Sequence, residues 1–226
     1  MNLSPILVSM KTASAAIVVT FFLGVLAARA VAGIRGKAFK MILDGILTLP
    51  LVLPPTVAGF FLLYIFGVRG PVGKFFLDFF SLRIAFSWSA TVIAAVAISF
   101  PLMYRSCRGA LEQVDPNLIY AARTLGLSEG AIFLKVSLPT ALPGVASGAV
   151  LAFARGLGEF GATAMIAGNI AGKTRTLPLA VYSSVAAGDM DESYGYVLII
   201  VIISFAVVAL MNYFTIQEDK ILSGKK

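Results

Sequence analysis

An all-α integral membrane fold with about five transmembrane helices is predicted by three observations. Of the 226 residues, 59% are hydrophobic and only 13% are charged, against about 25% charged in soluble domains. Histidine is absent altogether. The polar residues gather in short stretches between long charge-free runs, whereas a soluble chain has to spread them over most of its outer surface. One membrane domain, residues 1–226, is the economical reading.

A helix crossing the hydrocarbon needs about 20 apolar residues, and backbone groups in lipid must pair within their own segment. The first run, 12–28, is short and extends past Lys11 and Arg29 if both side chains reach back to the interface. It lacks a strong positive n-region and ends in AARAVAG, so it reads as a retained span rather than a cleaved signal. Runs 45–68, 84–104, 136–154 and 193–217 are the stronger spans. Two apolar pieces, 160–170 and 177–187, are each too short to cross. The first can extend the fourth helix outward, and the second suits a short re-entrant or interfacial helix, giving five spans, or six if they cross.

Cytoplasmic loops carry the excess of Lys and Arg. One set of alternate loops holds eleven: Arg29, Arg35, Lys37, Lys40, Arg105, Arg108, Arg123, Lys135, Lys220, Lys225 and Lys226. The other holds six: Lys11, Arg69, Lys74, Arg83, Lys173 and Arg175, with Arg155 inside an apolar run left out. The N-terminus is then outside and the C-terminus inside, with segment 105–139 in the cytoplasm. The net charge of +7 lies in separate patches, not on one basic and aromatic stripe, which argues against nucleic acid. The lone Cys107 excludes an internal disulfide, and with no histidine beside it no metal site is recognisable.

Within the spans, Pro50, Pro54 and Pro55 interrupt the second run and predict a broken helix. Such a break suits either a wall beside a pathway or a packing kink. Gly144, Gly148, Ala152 and Gly156 recur every four residues and make a small-residue face for close helix approach. Arg155 and Glu159, four apart, can pair within the membrane, either to fix helices or to line a path. In the cytoplasmic segment, Asp115-Pro116 starts a helix. Leu118, Ala121, Ala122 and Leu125 then share one face, Gly126 can take a left-handed stop, Ser128 caps a second short helix, and Pro139 closes it before the next span. A helix pair of this kind fits a groove in a partner or lies on the membrane.

At these residues the sequence resembles the permeases of ATP-binding-cassette importers. Their signature, Glu-Ala-Ala, three residues, Gly, nine residues, Ile-x-Leu-Pro, is matched by Tyr120-Ala121-Ala122, Gly126, Val136 and Leu138-Pro139. Tyr120 stands where the family has an acid, which removes any salt bridge that acid makes to the ATPase. LPLVLPPTVAGF over 49–60 and FARGLGEFGATAMIAGNIAGKTRTLP over 153–178 are similar to the molybdate and tungstate branch of the molybdate and sulfate permeases. The resemblance implies a type I importer: three spans, the coupling segment and two more spans. It also implies a permease homodimer, two cytoplasmic ATPase copies that bind ATP and magnesium, and an external molybdate-binding protein. Tyr120, Ala121, Ala122, Gly126, Leu138 and Pro139 would meet the ATPase. Pro54, Pro55, Arg155, Glu159, Thr163 and Asn169 are the expected path or gate residues.

No nucleotide-binding Gly-rich loop followed by Lys-Ser or Lys-Thr occurs in the chain. ATP hydrolysis is therefore expected on another polypeptide, with no cofactor held here. A sulfate importer is the near alternative. An ion-coupled secondary transporter would need an inverted repeat and buried titratable groups, and the sequence displays neither a repeat nor a histidine; an embedded enzyme would need a nucleophile and base or a metal cluster, and none is visible.

Overall fold

A computed structural model describes residues 2–34 and 36–222, with side chains through residue 213; Arg35, Lys225 and Lys226 of the charge count lie outside the described residues. Every regular element among the described residues is helical. The chain opens with α1 (Ser4–Ala32), α2 (Lys37–Val52), α3 (Pro55–Phe66), α4 (Pro71–Phe80) and α5 (Trp88–Glu112). It continues with α6 (Pro116–Thr124), α7 (Glu129–Ile132), a π-helical turn (Phe133–Ser137), α8 (Leu138–Leu157), α9 (Gly161–Ala167), α10 (Leu177–Ala186) and α11 (Met190–Leu222). Among the described residues four helices are long and apolar enough to cross a membrane: α1, α5, the continuous helical run Glu129–Leu157, and α11. The bent pair α2 and α3 supplies a fifth crossing if taken as one broken span.

The core lies where α5 packs between α1 and α8. Met103, Tyr104 and Cys107 of α5 are fully buried against Ala28 and Val31 of α1 and Val145 of α8. Hydroxyls tie α1 to α5 and to the start of α10. Thr12 and Thr91 meet at 2.8 Å, Thr20 and Ser99 at 3.2 Å, and Ser9 accepts the amide of Leu177 at 2.7 Å. The contact of Ser9 helps explain why α1 starts eight residues before the apolar run at Thr12: this early polar side chain is buried against protein, as is Pro5. α5 likewise runs on past Tyr104 to Glu112, because Cys107 and Ala110 continue its apolar seam and Arg108 pairs with Glu112 one turn on. The first eight residues of the expected coupling segment are therefore the end of a span.

Three expectations are refined. The broken second span is a 110° bend between α2 and α3, with Leu53 and Pro54 extended at the break. That exceeds a kink, because Pro54 and Pro55 both lack an amide and their predecessors are driven out of the helical region. The piece 160–170 does not extend the fourth helix. α8 stops at Leu157 and α9 starts at Gly161, since the Glu159 carboxylate takes the free amide of Ala162 at 2.7 Å and Gly161 seats against Pro55. Pro139 does not close the short helix: α7 passes through the π turn directly into α8. The wider turn accommodates the missing amide of Pro139, and the Thr140 hydroxyl donates to the carbonyl of Val136 at 2.8 Å.

Candidate functional site

The segment between α5 and α8 is built as its sequence signals dictate. The Asp115 carboxylate accepts the amide of Asn117 at 2.9 Å, and Pro116 occupies the first turn of α6. α6 ends in a Schellman arrangement, the amide of Gly126 donating to Arg123 O at 2.9 Å and that of Leu127 to Ala122 O at 3.2 Å. Gly126 has φ of +78° and open space where a Cβ would stand, so the requirement for glycine is purely one of backbone conformation. Ser128 accepts the amide of Ala131 at 3.3 Å and starts α7. Across the turn Arg123 grips Glu129 with two parallel hydrogen bonds, 2.7 and 3.2 Å. The Glu129 carboxylate raises the Arg123 pKa above its ordinary value.

The apolar face read from the sequence divides in two. Ala122 is buried, whereas Leu118, Tyr120, Ala121 and Leu125 are exposed, Leu125 at 81%. Large apolar side chains held outward on a rigid, doubly capped turn form a surface suited to a partner's groove. Leu138 is half-buried and Pro139 exposed, both in the first turn of α8, beyond the turn that carries Tyr120 and Gly126.

At the other end of α8 the structure assembles most of the expected path residues. Glu159 is 2% exposed and accepts both from Ala162 and from Arg155 Nη1, the latter at 2.8 Å. The next elements pack closely on α3. A Cβ on Gly59 would stand 2.7 Å from Ala162 Cα, and one on Gly161 3.0 Å from Pro55 Cβ. Pro54 and Pro55 are exposed at the bend, while Thr163 is buried behind it. Asn169 stands apart, its amide donating to Ser183 at 2.6 Å and its carbonyl accepting from Arg175 at 2.8 Å, so it braces the loop before α10.

Sequence reasoning missed a polar cluster between α2 and α5. Tyr104 donates its hydroxyl to Asp44, and Arg108 pairs with Asp44 and, at 2.9 Å, with Glu112. Lys40 approaches Glu112 at 3.4 Å. An acid at the edge of an apolar run, Asp44 before residue 45, was the one signal, but its partners lie 60 residues and more away. The cluster borders a polar cavity of about 460 Å³.

Comparison with known proteins agrees with this architecture. Residues 13–216 match the family described as "Binding-protein-dependent transport system inner membrane component". The chain is 48% identical to the molybdenum transport system permease protein ModB of Escherichia coli K12 over 172 residues, 76% of this chain and 75% of that one. It is 41% identical to the putative molybdenum transport system permease protein YvgM of Bacillus subtilis over 218 residues, 96% and 93% of the two chains. The sulfate transport system permease protein CysT of Salmonella typhimurium is 34% identical over 79% of this chain and 64% of its own. Among solved structures, an inward-facing MetNI methionine ABC transporter superposes with TM-score 0.63 at 19% identity over 93% of both chains. A bacterial alginate-importing ABC transporter superposes with TM-score 0.70 at 12% identity, covering 96% of this chain and 79% of that one. The chain therefore belongs to the inner-membrane components of binding-protein-dependent transport systems, the permease subunits of ABC importers.

Proposed function

We propose that this permease carries molybdate inward as a homodimer, driven by two copies of a separate ATPase that binds ATP and magnesium, and receives its cargo from an external molybdate-binding protein. The observation that carries the energy-coupling half is the exposed Leu118, Tyr120, Ala121 and Leu125 surface on the capped turn around Gly126. A site that receives force needs both an apolar face to hold the partner and a rigid turn to transmit its movement. The names of the ModB relatives support molybdate, and tungstate, a tetrahedral dianion of the same kind, is expected to share the path. The exposed apolar faces of α2 and α11 suit lipid and a second protomer. The N-terminus outside and the C-terminus in the cytoplasm follow from the Lys and Arg asymmetry. A cysteine at Lys173 is then labelled from outside, and labelling only after permeabilisation would reverse this topology.

The test is uptake of labelled molybdate by cells that depend on this permease, with unlabelled tungstate or sulfate added, together with copurification of an ATPase. Tungstate should compete and sulfate in large excess should not. Equal competition by sulfate would reassign the cargo, as the likeness to CysT would favour. Purification without an ATPase would remove the coupling role.

A further inference from the structure

Arg105 lies near the end of α5 that leads into the coupling turn, and its surroundings differ from those of the cations near it. Arg108, three residues on, is held by Asp44 and Glu112. Lys40 reaches Glu112, Arg123 grips Glu129, and Arg29 stacks 4.4 Å over the ring of Phe133. Arg105 is exposed and makes no hydrogen bond or ion pair with any described residue. A guanidinium that only marked the cytoplasmic interface would have no reason to face a cavity, yet Arg105 borders two. One, about 460 Å³, lies against α2, where Arg108 is offset by Asp44 and Glu112. The other, about 270 Å³, lies between α5 and α8, and Arg105 is the one charged side chain among its described lining residues.

That second cavity is furnished for an anion. Ser106, Gln113 and Ser147 offer hydroxyl and amide donors around the guanidinium, while Gly109, with open space where a Cβ would stand, leaves room beside it. A guanidinium presents a planar fork of N–H donors that matches two oxygens of a tetrahedral oxyanion. With one cation and an open rim, binding is weak, as a site that must release its cargo requires.

We infer that Arg105, at the shared rim of the two polar cavities, contacts the transported oxyanion at the cytoplasmic exit of the path, with Ser106, Gln113 and Ser147 as its neutral donors. The inference rests on the permease reading and its topology. It assigns a binding residue that the coupling motif and the Arg155–Glu159 pair do not include.

The experiment uses phosphatidylcholine vesicles holding the permease with its copurified ATPase, ATP and graded tungstate enclosed, and loaded binding protein outside. Enclosed tungstate should slow labelled molybdate uptake by occupying the exit. Arg105→Gln should raise the tungstate concentration for half-inhibition about tenfold, equivalent to about 1.4 kcal/mol. Arg105→Lys should raise it less, and Lys37→Gln, a charge removed from the exposed start of α2, not at all. An unchanged midpoint in Arg105→Gln, or no inhibition of the wild type up to millimolar tungstate, overturns the inference while leaving the permease reading intact. A midpoint shift that appears only when anionic phosphatidylglycerol is added gives the guanidinium to lipid phosphate and overturns it too. Loss of the copurified ATPase in Arg105→Gln would make the residue a partner contact instead. Wild-type vesicles that import nothing would defeat the permease reading itself.

Discussion

Arg155 and Glu159 form an ion pair of 2.8 Å whose two members are unequally sheltered: the Glu159 side chain is 2% exposed and that of Arg155 32%. Removing the arginine strands a buried carboxylate, whereas removing the acid leaves a guanidinium that can turn outward. Arg155→Met should therefore destabilise the protein by about 3 kcal/mol. Glu159→Gln, which retains an acceptor for Ala162, should cost only about 1 kcal/mol. The double variant should be more stable than Arg155→Met alone. Thermal unfolding in detergent measures all three, and strictly additive losses would mean that the pair is not coupled.

Gly126 separates backbone strain from side-chain packing, because nothing occupies the space a Cβ would take. Gly126→Val should strain the turn by about 1–2 kcal/mol or re-aim α7, lowering the stimulation of the partner ATPase by loaded binding protein. Gly126→Asn, whose side chain tolerates the left-handed region, should keep most of it. Equal stimulation in both variants would show that the turn geometry transmits nothing.

Gly148 seats α8 directly against α5, where an added Cβ would collide with the Cβ of Ser106. Gly148→Ala should lower stability by about 1–3 kcal/mol through overpacking. Ser106→Gly in the same chain should restore part of the loss, while Ser106→Ala, which keeps the colliding atom, should restore none. Unfolding midpoints decide this, and a tolerated Gly148→Ala would mean that the helices part readily.

α2 buries none of its own residues, so Asp44, which binds both Tyr104 and Arg108, is its principal polar tie to α5. Asp44→Ala should free the helix locally. Limited trypsin cleavage after Lys37 and Lys40 should rise several-fold, with little change in the global unfolding midpoint. A protease pattern like that of the wild type would show that apolar contact alone holds α2.

The parts of this fold legible in the sequence are those governed by local rules. Asp115, Pro116, Gly126 and Ser128 each act within three residues of themselves, and all four take the roles their chemistry predicts. Span lengths were less legible, because Ser9, before the first run, and Arg108, after the third, look polar until they meet Leu177 and Asp44 across helices. The separate helix at Gly161 was not legible, and the Asp44 cluster announced itself only through an acid at the edge of an apolar run. Each depends on a neighbour distant in sequence, Pro55 in one case and Tyr104 with Arg108 in the other. The path residues fall between these limits. The spacing of Arg155 and Glu159 announced their pairing, but nothing local announced that Asn169 braces a loop with Arg175 and Ser183.

The π turn at Phe133–Ser137 joins α7 to α8 without a break, so Glu129–Leu157 is one 29-residue shaft, about 43 Å long at 1.5 Å per residue. One tip carries Glu129, clasped to Arg123 beside the apolar turn; the other lies two residues from Glu159, whose carboxylate starts the helix seated on Pro55. Pivoted at either tip, a tilt of 5° would swing the opposite one by about 4 Å, given that length. On the coupling role proposed above, a push delivered beside Glu129 would displace the Pro54–Pro55 bend through a lever arm, without any relay of small side-chain rearrangements along the way.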